Sequence, residues 1–228
     1  MTAITLGEGE VKILIRPATL VDLPFLPKIE RASDQFFLTC NMSLIANLPA
    51  SPPEAYRSIV EKEHVWVVDL PPAITHKATG DVLASSTDSL GQPPVKFAAE
   101  PVAFISIKIF DNELEGEEED GVDQRTVFIN QVSVDLKFGR KGLGKSLIQH
   151  IEIWAAAEGF KALDLTTFAD VPFNRPYYER LGYRVLTPDE LKCPSARNLR
   201  RTLKDERKDI ILGKWDRVGM RKILVRSG

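Results

Sequence analysis

Apolar positions along the chain change period repeatedly, and each change marks an element. Residues 11–16 (VKILIR) are aliphatic and β-branched and predict a first strand. Thr19, with Asp22 three residues on, has the spacing of a capping box and opens a helix expected to run through about Arg31. Ser51-Pro-Pro-Glu54 repeats that signature for a helix through about Lys62. His64 to Leu70 (HVWVVDL) and residues 101–110 (PVAFISIKIF) predict strands, as does Val127 to Val134 (VFINQVSV). From Gly142 the period lengthens: Leu143, Leu147, Ile151, Trp154 and Ala155 fall on one helical face, and Gly159 stops it. Lys161 to Phe168 predicts a strand, Asn174 to Leu181 a short helix ended by Gly182, and Tyr183 to Leu186 another strand. Thr187-Pro-Asp-Glu190 carries N-cap, first-turn proline and capping-box acid, and Arg217 to Val225 predicts a closing strand. A strand, helices, a run of strands and then βα alternation, with no internal repeat or linker, predict one mixed α/β domain over residues 1–228.

Composition narrows the function classes. A net charge of -2 over 228 residues gives no overall basic field for nucleic acid or membrane. The charge is uneven, however. Residues 111–120 (DNELEGEEED) hold seven acids and no base, and residues 197–226 hold eleven Lys or Arg against four acids. Like-charge blocks of this kind are solvated faces or loops, and the basic segment lacks the interleaved aromatics of a nucleic-acid surface. Residues 71–95 carry four of the fifteen prolines and predict a loop insertion, with a second insertion at 111–124. Cys40 and Cys193 are far apart, fit no metal spacing and predict two reduced thiols. With no signal-like or membrane-length apolar run, the expectation is a cytoplasmic protein, monomeric or homodimeric, with no nucleic-acid or membrane partner.

The candidate chemistry begins at Gly139-Arg-Lys-Gly-Leu-Gly-Lys-Ser146. The stretch fits G-x-x-x-x-G-K-[ST], the phosphate loop of nucleotide hydrolases, and from Arg140 onward it is also R-K-G-L-G. Either way, glycines let the backbone approach an anion at the start of a helix. A hydrolase needs the loop directly after an apolar strand and a long sheet behind it. Here Asp135 to Phe138 intervene and only 82 residues follow Ser146.

Further on, Asn174-Arg-Pro-Tyr-Tyr178-Glu-Arg-Leu-Gly-Tyr183 has the form N-x-x-x-Y-E-x-L-G-[FY]. Together with Val132-Ser-Val134 and R-K-G-L-G-K-S-L, it resembles the GNAT N-acetyltransferase superfamily, closely over residues 127–186 and loosely over 11–225. The resemblance implies a central mixed sheet whose middle strands splay, flanked by helices, and acetyl-CoA as cosubstrate. It implies that the backbone at Val132, Ser133 and Val134 pairs with the pantetheine arm. The pyrophosphate would then lie on the backbone from Gly139 through Arg140, Lys141, Gly142, Leu143, Gly144, Lys145 and Ser146. Arg140, Lys141 and Lys145 add positive charge, and Ser146 would cap the helix or touch a phosphate. Gly139 stands where the family usually has Gln or Arg, so one side-chain contact is lost. Asn174 would bind the pantetheine arm or cap its helix. Tyr178 would give a proton to the leaving thiolate, with Tyr177 as packing partner.

The acceptor implied is a primary amine of a small molecule or protein, its identity open. The general base is open too: the window Phe128-Ile-Asn-Gln131, where the family often has a carboxylate, holds only the amides Asn130 and Gln131. Asp164, Glu100 and His64 are other candidates, each also readable as a strand-face or surface residue. His150 reads as a packed helix residue and His76 as solvated. The missing acid leaves a second possibility, an acyl-CoA-binding module without catalysis.

Overall fold

In the computed structural model, residues 2–6, 9–70, 100–110 and 125–224 are described. Eight strands form a sheet in the order β1-β2-β3-β4-β5-β6-β8-β7. They are β1 (Thr2–Leu6), β2 (Gly9–Pro17), β3 (Val65–Asp69), β4 (Ala103–Ile109), β5 (Thr126–Val134), β6 (Ala162–Phe168), β7 (Arg184–Val185) and β8 (Arg217–Ile223). Every neighbouring pair is antiparallel except β5 and β6, which run parallel. A parallel pair needs a crossover, supplied here by the helix α4 (Leu143–Ala157).

The two sheet faces are covered by different helices. Leu143, Leu147 and Ile151 of α4, fully buried, pack with Ile105, Ile107, Val127, Ile129 and Leu163 of the sheet. Burial of each such aliphatic side chain is worth about 1.5–3 kcal/mol. On the opposite face, α1 (Leu26–Asp34) and α3 (Pro53–Glu61) bring Leu26, Ile29, Tyr56 and Val60 against Val65, Val67 and Phe104. Past the parallel pair, α6 (Arg197–Lys208) buries Leu199 and Leu203 and turns its basic residues to solvent.

Several expectations are corrected. The helix expected over 19–31 is split. Thr19 and Asp22 do form their capping box, but on a 3-10 turn (Leu20–Asp22), and α1 starts only at Leu26. Pro24 lies in the break, where its ring excludes a continuous helical ladder. Asp22 is held further by Arg16, which also pairs with Asp69, so β2, β3 and the turn are locked together. At the next helix the N-cap is Pro52, and the Ser51 N–H instead donates to Glu30. The Thr187–Glu190 box also forms, yet opens only a 3-10 turn (Glu190–Lys192). The hairpin strand β1 and the short helix α2 (Ser43–Ala46) carry no period long enough to be read from sequence. Both insertions, 71–95 and 111–124, lie outside the described residues.

Candidate active site

The parallel strands β5 and β6 stay together for only three pairs: Thr126 with Ala162, Val127 with Leu163, and Phe128 with Asp164. Beyond Phe128 they part. On its other side β5 stays paired to β4 through Val134, and β6 stays paired to β8 through Phe168. A wedge therefore opens in the sheet, edged by residues 129–134 and 165–168. At its apex the β4–β5 register slips between Ser106 and Ile107, leaving Asn130 as the extra residue of a bulge. Asn130 donates its side-chain amide to the Ser106 hydroxyl at 3.2 Å. Unpaired strand groups inside a protein need a partner, so the wedge is a place for an extended, peptide-like group.

At the wide end of the wedge lies the glycine loop. It does not run straight out of β5, because a 3-10 turn (Leu136–Phe138) intervenes, capped by the Asp135 carboxylate accepting from the Lys137 N–H at 2.9 Å. Gly142 then sits at the N-cap of α4 with φ of 84°, a conformation that favours glycine. A Cβ built there meets nothing within 4 Å, so the α4 N-terminus is an open backbone cradle. Arg140 is also left-handed, with φ of 59°. Its guanidinium is exposed, 5.8 Å from the Phe36 ring centroid. Lys141 reaches over Phe138, and Lys145 points to solvent. Leu143 and Ser146 are buried, the Ser146 N–H donates to the Gly142 carbonyl at 2.9 Å, and Gly142 has no side-chain cap. Ser146 is thus not the cap expected of it.

The short helix α5 (Arg175–Arg180) closes the wedge from the side. Asn174 occupies its N-cap position but makes no side-chain cap bond, contrary to one of its two expected roles. A Cβ at Gly144 would meet the Tyr177 hydroxyl at 3.1 Å, with Val134 and Val132 methyls at 3.7 and 3.8 Å. Tyr177 thus lies against the glycine loop and the wedge edge together, as well as packing on Tyr178, and burial pushes its phenol up to about 12. Tyr178 packs at 5.3 Å from Tyr177 and 5.9 Å from Tyr183. Burial first, then Tyr177, push its phenol well above the ordinary value, with Arg217 opposing. Tyr178 therefore keeps its proton throughout the physiological range.

Of the candidate bases, Asp164 is buried and accepts two bonds from Arg221, at 2.6 and 2.8 Å, so it is committed to the sheet. His150 lies tilted against Trp66 with ring centroids 6.2 Å apart, and burial lowers its pKa. Glu100 is exposed just before β4, and His76 lies outside the described residues. Gln131 leads instead to an acid that no local spacing revealed. Its amide donates to Glu30 of α1 at 3.0 Å and to the Ser133 hydroxyl at 3.1 Å. Glu30 also accepts from the Tyr56 hydroxyl at 2.6 Å and the Ser51 N–H at 3.1 Å. One helical turn later, Asp34 is half-buried, and burial followed by the Glu30 charge raises its carboxyl to about 6. A cavity of about 230 Å³ adjoins this cluster, lined by Ser51, Tyr56, Ile59, Lys108, Asn130 and Gln131 among others.

Residues 60–183, including the wedge, the loop and α5, match the family model described as the acetyltransferase (GNAT) family. Solved structures share the fold. The ribosomal-protein-S18-alanine N-acetyltransferase from Escherichia coli is 14% identical, with a TM-score of 0.53 over 95% of this chain and 97% of that one. The PaiA N-acetyltransferase from Thermoplasma acidophilum, solved in complex with coenzyme A, is 14% identical, with a TM-score of 0.54 over 93% and 99%. A GNAT-family acetyltransferase from Listeria monocytogenes is 13% identical, with a TM-score of 0.57 over 98% and 100%. At such identities these likenesses concern the fold alone.

Proposed function

The chain belongs to the acetyltransferase (GNAT) family, and on that premise we propose that it moves an acetyl group from acetyl-CoA directly to a primary amine. The observation that carries this is the wedge between β5 and β6 opening beside the Gly142 cradle. A pyrophosphate fits the α4 N-terminus, where N–H groups and the helix dipole attract anions. The backbone of Val132, Ser133 and Val134 pairs with the pantetheine arm as a strand pairs with its neighbour. Backbone N–H groups from Arg140 through Lys141, Gly142, Leu143, Gly144 and Lys145 line the anion site, between Gly139 and Ser146, whose own N–H groups are spent on Leu136 and Gly142. Asn174, free of capping, is available to the arm's amides.

Tyr178 holds the proton that the leaving sulfur needs. As the amine nitrogen bonds to the acetyl carbon, the carbon–sulfur bond breaks and the Tyr178 hydroxyl protonates the thiolate. The phenol is fully protonated at working pH, as a proton donor must be. We propose a cytoplasmic enzyme in which all of residues 1–228 serve one acetyltransferase unit. Among the described residues no helix is long and apolar enough to cross a membrane, and no His, Cys, Asp and Glu cluster could hold a metal ion.

A screen of primary amines with purified protein and acetyl-CoA, following free thiol, tests the activity. Amine-dependent thiol release with a matching acetylated product is expected. Saturable acetyl-CoA binding with no turnover on any amine would leave a binding module instead.

A further inference from the structure

The segment Glu30 to Phe37 crosses the wedge on the face opposite α4. At one end, Glu30 is bonded to Gln131 of β5. At the other, Phe37 packs edge-on against Phe168 at the end of β6, at 5.5 Å, and Phe36 lies 4.3 Å from Phe173, just before α5. Asp34 lies in the chain between these anchors, at the end of α1 where the 3-10 turn carrying Phe37 begins. On the proposed reading, a cosubstrate laid on the α4 cradle and threaded through the wedge would bring its thioester toward the cavity lined by Tyr56, Asn130 and Gln131.

Glu30 and Asp34 differ in commitment. Glu30 accepts from three donors on three elements: Ser51 before α3, Tyr56 within it, and Gln131 of β5. Asp34 forms no side-chain cap bond at the turn it opens, and neither a hydrogen bond nor an ion pair holds its carboxylate among the described residues. A half-buried carboxylate left unpaired costs stability, so its retention at the wedge calls for a function.

We propose that Asp34 is the general base of the reaction and that Glu30 is its positioning residue. This rests on the acetyl-transfer reading above. As the nitrogen–carbon bond forms, the proton of the amine nitrogen passes to the Asp34 carboxylate. The carbon–sulfur bond breaks, and Tyr178 protonates the sulfur. Asp34 then returns its proton to solvent, which restores the Tyr178 phenol, so protons balance over one turnover. The charged groups facing Asp34 support its role. Glu30 raises its pKa, and the Tyr56 hydroxyl is spent on Glu30. Arg140 lies beyond the Phe36 ring, and Lys108 lies across the cavity. A carboxyl held at about 6 is charged yet basic at neutral pH, the condition that favours proton transfer.

The experiment compares wild type, Asp34→Asn and Glu30→Gln, with spermidine, lysine and a tripeptide with a free N-terminus as acceptors. Thiol release is followed from pH 5 to 9. Wild-type kcat is expected to rise through about pH 6. Asp34→Asn loses about 10²–10⁴-fold in kcat and loses that limb, while Glu30→Gln shifts the limb to lower pH. Melting separates this from a structural role. A carboxyl raised in the folded state destabilises it above that pKa and not below the unfolded one. Asp34→Asn should therefore melt higher than wild type at pH 7.5, with the difference vanishing below about pH 4. Turnover of Asp34→Asn at the wild-type rate with the limb intact overturns the assignment alone. Absence of thiol release by the wild type with all three amines overturns the acetyl-transfer reading, and this inference with it.

Discussion

The segment from Thr126 to Tyr183 and the helical layer from Leu20 to Glu61 meet at the same wedge, and in the proposed reaction they would recognise their ligands by different means. The first works through its backbone: parted strands, a left-handed Gly142, and N–H groups at the start of α4. The second works through side chains: Glu30 and Tyr56, bonded to each other and through Glu30 to Gln131, and Asp34 one turn further on, which no such bond holds among the described residues. Backbone recognition suits a cosubstrate whose arm and phosphates do not vary. Side-chain recognition suits an acceptor, because changing one residue changes the fit without disturbing the sheet.

The sharpest way to separate the halves is Tyr178→Phe, which removes one hydroxyl and keeps the ring. General acid catalysis is worth about 10²–10⁴-fold, so kcat falls by that much while the Kd for acetyl-CoA is unchanged. Steady-state kinetics with direct binding checks it; unchanged kcat would return Tyr178 to a packing role. The next effect is on stability. Asp164→Ala strands the buried Arg221 guanidinium and should cost about 3–5 kcal/mol, read from denaturant unfolding. If Asp164 belongs to the scaffold, the folded fraction keeps its pH–rate profile; loss of the limb near pH 6 would make Asp164 the base instead of Asp34.

Gly142→Val probes the backbone half alone. A left-handed β-branched residue costs about 1–2 kcal/mol in conformation, and its side chain enters the cradle. Acetyl-CoA affinity should fall by about tenfold or more, with the pH limb unmoved. The smallest effect concerns the acidic run, which lies outside the described residues. Reversing Glu117 to Asp120 should raise the KM of a cationic acceptor a few-fold at low salt and less at high salt. Such a change is what guidance of a cationic acceptor by the seven acids of residues 111–120 would produce, and a KM unchanged by the reversal at both salt concentrations would discard it.

The same contrast explains what was legible in the sequence. Gly142, Gly144 and the Asn174 to Tyr183 stretch act through local backbone geometry, so residue type and spacing record them directly. Val127 to Val134 reads as a strand because β-branched and aromatic residues fill it, although nothing in it marks where β6 departs. Gln131 was visible as an amide where an acid was expected, but its partner Glu30 is 101 positions away. Only packing of α1 across the wedge joins them. Asp34 looks like any helix-end acid until its burial and the Glu30 charge are known. Capping signals were detected correctly at Thr19 and Thr187, yet caps start a turn without fixing its length. Pro24 cut the first element short, and the second ended as a single 3-10 turn.

The central claim is that the wedge and the glycine cradle hold acetyl-CoA, and ligand-dependent melting tests it most directly. A ligand bound only to the folded state at about 100 times its Kd stabilises by about 2.7 kcal/mol. For a chain of this size that is a rise of about 5–10 °C in Tm. Acetyl-CoA should produce that rise in the wild type and a much smaller one in Gly142→Val, with ATP and magnesium producing little. Stabilisation by ATP and magnesium but not by acetyl-CoA would contradict the account.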